Sequence, residues 1–256
     1  MSDIVDAPAR ASRVALTLDP GEAAHACMLA ACDAPLDVLE RELPASLGAI
    51  ERARLARAAH PRRRASFLRG RAAARDALAG LCDGRFAPAA FEIVPGAFEQ
   101  PVVRGPAPNV GVSLSHTDTL AVAVAFPESH PLGVDIERID VANERVLAEY
   151  VAPAELAALR AADAHGVEAL TLLWAAREAL SKVLRGGLAI DFPALAVDHA
   201  TRENGLLRIG FAAFAHLRAE ALSAHGHVFA LVLPAKSAAA WDVQAVRAWL
   251  GAATRH

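Results

Sequence analysis

Residues 110–139 read VGVSLSHTDTLAVAVAFPESHPLGVDIERI. Valine-rich runs in this stretch alternate with a period of two and are punctuated by Thr, Asp, Pro and Ser, which predicts three short strands: Val110 to Ser115, Leu120 to Phe126 and Leu132 to Ile139. Leu120, Val122, Val124 and Phe126 share one face of the second strand. Turns this short join strands that run antiparallel. The stretch Pro127-Glu128-Ser129-His130-Pro131 lies near the midpoint and marks a boundary between an N-terminal half, 1-128, and a C-terminal half, 129-256.

Working outward, alanine, leucine and arginine predict helix from about Leu47 to Leu81, broken at Pro61. A further strand is expected at Phe91 to Val94. Beyond the midpoint, helices are expected at Pro153 to Ala164 and Val167 to Arg185. Strands follow near Leu195, at Leu207 to Phe211 and at Val228 to Leu233, with a last helix at Asp242 to Leu250. Alanine-rich stretches are read as helix. Each half therefore mixes helices with mostly antiparallel strands, giving an α+β fold of two similar halves, although no residue-level repeat is visible in the sequence.

With 256 residues, 54% of them hydrophobic, the chain is long enough to bury a sizeable core. Twenty-six Lys and Arg against 29 Asp and Glu give a net charge of -3, so no overall positive field gathers nucleic acid, and any basic function is local. The three cysteines, Cys27, Cys32 and Cys82, have neither an even count nor metal-ligand spacing, which argues against a disulfide framework or a zinc site. No signal core or membrane-length apolar run is present, and the expectation is a cytoplasmic protein without membrane association.

Four pieces carry chemistry. In Leu132 to Glu137, alternation buries Leu132, Val134 and Ile136 and turns Gly133, Asp135 and Glu137 to the other face. Two carboxylates so close repel unless solvent, a cation or an arginine lies between them, and hard oxygen donors of this kind suit magnesium. An acidic exposed strand face is the alternative. In Trp174 to Lys182, helical spacing places Glu178 and Lys182 one turn apart, either as a surface ion pair or as a metal ligand or base beside a phosphate clamp. Ser115 and His116 end a strand and could donate to phosphate oxygens, without the surroundings of a hydrolase nucleophile. Arg62, Arg63, Arg64, Arg69, Arg71 and Arg75 crowd one helix, where several guanidinium groups could converge on a polyanion or simply form a solvated basic face.

In this order the four pieces resemble the Sfp-type 4'-phosphopantetheinyl transferases. The shared features are Phe67-Leu68-Arg69-Gly70-Arg71, Ser115-His116, Gly133-Val134-Asp135-Ile136-Glu137 and Trp174 to Lys182, and the resemblance covers roughly Leu55 to Pro234. It implies a pseudo-twofold pair of α+β halves with coenzyme A in the cleft between them. It further implies magnesium held by Asp135, Glu137 and Glu178, with Glu178 as the base. Lys182, Ser115 and His116 would contact phosphates, and Arg63, Arg71 and Arg75 would lie on the 3'-phosphate side. The acceptor would be a serine of an acyl or peptidyl carrier protein, served by a monomeric enzyme, with Arg62, Arg64 or Arg69 facing that partner. Two departures stand out. Arg177 replaces the pattern's first lysine, a planar fork for a point donor. Glu99-Gln100-Pro101 stands where Gly-Lys-Pro is usual, so Gln100 and Pro101 would take the adenosine-end contacts. The rival readings are a non-catalytic relative that binds coenzyme A or a carrier protein, and a nucleic-acid-binding protein using the arginine helix.

Overall fold

The computed structural model describes residues 12–21, 23–186 and 190–252. Two five-stranded antiparallel sheets form its centre. The first has the order β12-β1-β2-β6-β5 and the second β7-β11-β10-β9-β8, while β3 and β4 pair separately. The strands are β1 (Ser12–Asp19), β2 (His25–Cys32), β3 (Glu92–Pro95), β4 (Pro101–Arg104), β5 (Val110–His116), β6 (Ala121–Pro127), β7 (Gly133–Arg138), β8 (Val197–Glu203), β9 (Leu206–Phe211), β10 (Leu217–Ala224), β11 (His227–Pro234) and β12 (Ala238–Trp241). The helices are α1 (Leu36–Glu42), α2 (Ala49–Arg57), α3 (Pro61–Leu81), α4 (Glu144–Ala148), α5 (Pro153–Ala161), α6 (Gly166–Val183) and α7 (Val243–Ala252).

Strand alternation builds the layers. On β6, Val122, Val124 and Phe126 face the second sheet and meet Val134 and Ile136 of β7 and Phe229, Leu231 and Leu233 of β11. The opposite face of β6 carries Ala121, Ala123 and Ala125, small enough for α3 to lie directly on the sheet through Leu68, Ala72 and Leu78. The second sheet repeats this with Ala219, Ala221 and Ala230 beneath Leu172, Ala176 and Leu180 of α6. The layers are therefore α3, sheet, sheet, α6, and Trp249 and Leu250 of α7 join the core between the sheets.

The element order shows a duplication of which the sequence keeps only a short trace, AARDAL at 73–78 and AAREAL at 175–180. The run β2, α1, α2, α3, β3, β4, β5, β6 is followed by β7, α4, α5, α6, β8, β9, β10, β11, and β2-β6-β5 matches β7-β11-β10. A pair of buried side-chain clasps repeats with it. In the first half Glu51, at the third position of α2, accepts from the backbone N of Gly48 and of Ile93 and from Arg75, which also donates to the Ser46 carbonyl. In the second half Glu155, at the third position of α5, accepts from the backbone N of Ala152 and of Val197 and from Arg177, which also donates to the Tyr150 carbonyl. Arg75 and Arg177 are thus structural counterparts.

Several expected boundaries move. Helix 47–81 is two helices separated before Pro61, and Phe192–Leu195 is a single tight turn, with the strand starting at Val197. The unforeseen strands β1, β2, β4, β10 and β12 include the alanine-rich HACMLAAC of β2 and LRAEALSA of β10. Alanine has poor strand propensity, but under a closely packed helix the tertiary context outweighs it. Among the described residues no helix is long and apolar enough to cross a membrane.

Candidate active site

The two halves touch where β5 lies beside β7. Ser113 Oγ accepts from the Val134 backbone N at 3.1 Å, closing an edge-strand donor with a side chain. On β7, Val134 and Ile136 enter the core between the sheets, and Gly133, Asp135 and Glu137 turn away from it, as the alternation predicts. A Cβ at Gly133 would lie 2.0 Å from the Ala179 carbonyl oxygen and 2.8 Å from Val183 Cγ2, so α6 sits against bare backbone there.

That close approach brings Lys182 over the strand. Its Nζ donates to Asp135 Oδ1 at 2.6 Å and to the Val134 carbonyl at 2.9 Å, and Ser115 Oγ donates to the same Asp135 oxygen at 2.7 Å. Asp135 is only 3% exposed, and its Oδ2 is buried with no hydrogen-bond partner. One carboxylate therefore joins β5, β7 and α6 and retains an open oxygen.

Glu137 and Glu178 share its electrostatics. Burial first, then the Asp135 charge, push the Glu137 carboxyl up to about 7; Lys182 opposes the shift, Glu178 adds to it, and a hydrogen bond with the Trp174 side chain draws it down. Glu178 is raised by burial and then by Asp135, again against Lys182. His116 is held below its ordinary value by the protein around it and then by the Lys182 ammonium, which favours the neutral ring at neutral pH. Among the described residues no three His, Cys, Asp or Glu side chains close into a metal-sized cage; the cation against Asp135 is Lys182.

The Glu137 shift has a consequence for stability. Its folded value, about 7, exceeds the ordinary 4.5, so between these values the folded state holds the proton more tightly than the unfolded chain, and stability falls as pH rises through that window. Urea denaturation at pH 5 and pH 8 should therefore show a larger loss for the wild type than for Glu137→Gln. Equal losses in the two proteins would refute the buried, proton-binding carboxyl.

A cleft of about 670 Å³ opens between the halves, lined by Arg54, Arg71, Gln100, Pro101 and Lys182 among mainly apolar neighbours. A smaller cavity beside it holds Arg63, Arg71 and His116. Arg71 faces both; its pKa is pushed down to about 10 by burial, with Arg54 and Arg75 repelling it and Glu51 opposing, so it stays charged. Its Nε lies 3.0 Å from Glu51 Oε1, and its guanidinium stacks over Phe67.

The remaining arginines divide. Arg75 is 3% exposed and spent on Ser46 and Glu51, behind the cleft wall and lining neither cavity. Arg69 is buried, donating to the carbonyls of Ala34 and Asp118, which corrects the expectation that it faces a partner. Arg64 pairs with Glu40, whereas Arg62 and Arg63 are exposed. Arg177 is also buried, directed toward Glu155 and Tyr150 and away from Lys182, so the arginine that replaces the pattern's lysine holds structure together. The Gln100 side chain folds onto its own turn, accepting from the Phe98 N at 2.9 Å.

Sequence reasoning missed Arg54. It lines the cleft and forms an ion pair with Glu99. Glu99 has φ 62, the left-handed region that favours the glycine usual at this turn. No motif contains Arg54; only the fold brings α2 to the β3–β4 turn.

The sequence model of the 4'-phosphopantetheinyl transferase superfamily matches residues 131–232, and that of the 4'-phosphopantetheinyl transferase N-terminal domain matches residues 51–126. The chain belongs to the 4'-phosphopantetheinyl transferase superfamily. No curated protein matches it closely enough to count as a relative. Both matched segments contribute to the cleft lining, the N-terminal match through Arg54, Arg71 and Gln100 and the other through Lys182; Ser115, Asp135, Glu137 and Glu178 fall within the matched segments but do not line it.

Proposed function

We propose that the chain moves the 4'-phosphopantetheine group of coenzyme A to a serine of an acyl, aryl or peptidyl carrier protein in a magnesium-dependent reaction, converting apo to holo carrier. The observation that carries this reading is Asp135, buried at the junction of the halves with one oxygen lacking a hydrogen-bond partner and flanked by two carboxyls of raised pKa. Oxygen donors of this hardness suit magnesium, and Asp135, Glu137 and Glu178 are the residues that would hold it. Bound there, the ion would neutralise charge on the pyrophosphate as the phosphorus is attacked.

The chain's own residues do the remainder. Half 1-128 supplies the coenzyme A shelf through Arg54, Arg63, Arg71, Gln100 and Pro101, and half 129-256 supplies the reacting centre. Lys182, Ser115 and His116 orient phosphate oxygens, the lysine by charge and the others by hydrogen bonds. Glu178 takes the proton of the acceptor serine as its oxygen bonds to the β-phosphorus and the P–O bond to 3',5'-ADP breaks. Its raised pKa makes it a better base than an ordinary carboxylate.

Intact-mass measurement of apo carrier proteins incubated with the enzyme, coenzyme A and magnesium tests the reaction. A carrier gaining one phosphopantetheine supports it. No gain across fatty-acid, polyketide and peptide carriers, with coenzyme A still bound, would make the protein a non-catalytic relative.

Arg71→Ala should raise the KM for coenzyme A about tenfold with kcat little changed, because a terminal-phosphate contact binds ground and transition states alike. Dephospho-coenzyme A is the discriminating substrate. If the variant loses as much with it as with coenzyme A, Arg71 does not recognise that phosphate.

A further inference from the structure

Among the described residues four cations line the cleft between the halves, Arg54, Arg71, Lys182 and Arg185. Three of them are closely paired. Arg54 is bound by Glu99, Arg71 Nε lies 3.0 Å from Glu51 Oε1, and Lys182 Nζ donates to Asp135 at 2.6 Å. Arg185 is paired with Glu128 at 3.8 Å, and both side chains are half exposed. An ion pair this long and this wet is too weak to hold the guanidinium against a better acceptor. Glu128 closes the first half and Arg185 follows α6 in the second, and both line the cleft that the contact spans.

The backbone is fixed at both ends of this contact. Glu128 N donates to the Asn109 carbonyl at 2.9 Å. Beyond the α6 C-cap at Leu184, Arg185 N donates to the Lys182 carbonyl and Gly186 N to the Ser181 carbonyl, the two bonds that close a helix in a left-handed turn. Arg185 takes that turn with φ 55, where glycine is usual and a side chain is strained. The strained position sets a second, longer cation on the Lys182 side of the cleft.

We propose that Arg185 is a further binding residue for the diphosphate of the substrate: in the free protein it rests against Glu128, and it turns to the diphosphate beside Lys182 when coenzyme A enters. This rests on coenzyme A being the substrate. Lys182 already shares its charge with Asp135, and a planar guanidinium can meet two phosphate oxygens at once. Glu128 then competes with the substrate for Arg185, so the two members of the pair affect affinity in opposite directions.

Isothermal titration of coenzyme A and of dephospho-coenzyme A, with magnesium present, into the wild type, Arg185→Gln, Arg185→Gly and Glu128→Gln tests this. Arg185→Gln should weaken coenzyme A binding about tenfold, and dephospho-coenzyme A binding by the same factor, unlike a residue that reads the terminal phosphate. Arg185→Gly should bind as weakly and yet unfold no earlier than the wild type, because glycine accepts the turn. Glu128→Gln should bind coenzyme A about threefold more tightly, since the competitor is gone. Wild-type affinity in Arg185→Gln overturns the proposal, and a loss confined to coenzyme A overturns it by moving Arg185 to the terminal phosphate. Weaker binding in Glu128→Gln would make the pair a structural tie between the halves and overturn the exchange. A wild type that takes up no coenzyme A would instead overturn the substrate reading beneath it.

Discussion

Asparagine in place of Asp135 is expected to lower kcat/KM for carrier modification by about 10²–10³-fold while the protein remains folded. The substitution keeps the shape and leaves an amide for Ser115 and Lys182 to contact, but removes the buried charge that one open oxygen offers to a cation. Stability should change little for two reasons. Lys182 retains the Val134 carbonyl and, at 26% side-chain exposure, stays partly hydrated. Glu137 and Glu178 both lose a repelling neighbour. Steady-state kinetics at saturating magnesium and coenzyme A, with a urea unfolding curve alongside, measure both sides. Turnover near wild type would remove Asp135 from the reaction, and a collapsed unfolding curve would make it a structural residue.

The second large effect concerns a methyl group. Gly133→Ala places a Cβ 2.0 Å from the Ala179 carbonyl, and the atom it strikes is helix backbone, which has no rotamer by which to retreat. The helix must shift away from β7, at a cost of about 3 kcal/mol of stability. Activity should fall further than stability alone accounts for, since α6 carries Trp174, Glu178 and Lys182 across the gap that would widen. Unfolding midpoints and turnover measured below the melting transition separate the two. An alanine variant as stable and active as the wild type would mean that the helix does not depend on this contact.

The sequence disclosed which faces the candidate residues share more fully than how distant elements pack. Asp135, Glu137, Glu178 and Lys182 were legible because strand and helix periodicities fix faces locally, and the structure brings those faces together. The strands of β5, β6 and β7 were legible for the same reason. What stayed hidden depends on distant packing. β2 and β10 were obscured because alanine beneath a helix looks like alanine within one. Arg75 and Arg69 could not be told from Arg71 by spacing, since all lie on one helix and only the location of Glu51, Ala34 and Asp118 decides which guanidinium is consumed internally. Arg54 carried no local signal at all, and the duplication left only a short trace around the clasp arginines, Ala73-Ala74-Arg75-Asp76-Ala77-Leu78 against Ala175-Ala176-Arg177-Glu178-Ala179-Leu180.

That duplication bears on how such a centre could have been built. With Arg75 set against Arg177, the same helical register sets Asp76 against Glu178 and Gly80 against Lys182. In the first half Asp76 forms an ion pair with Arg13, and Gly80 leaves space that Met28 fills, so the cognate position is closed and quiet. In a symmetric dimer every substitution falls on both copies at once, and a surface cannot become a nucleotide shelf without losing its twin's reactive groups. Two fused copies escape that constraint. One can keep the charges that move a phosphoryl group while the other gives them up to become the platform on which the substrate lies.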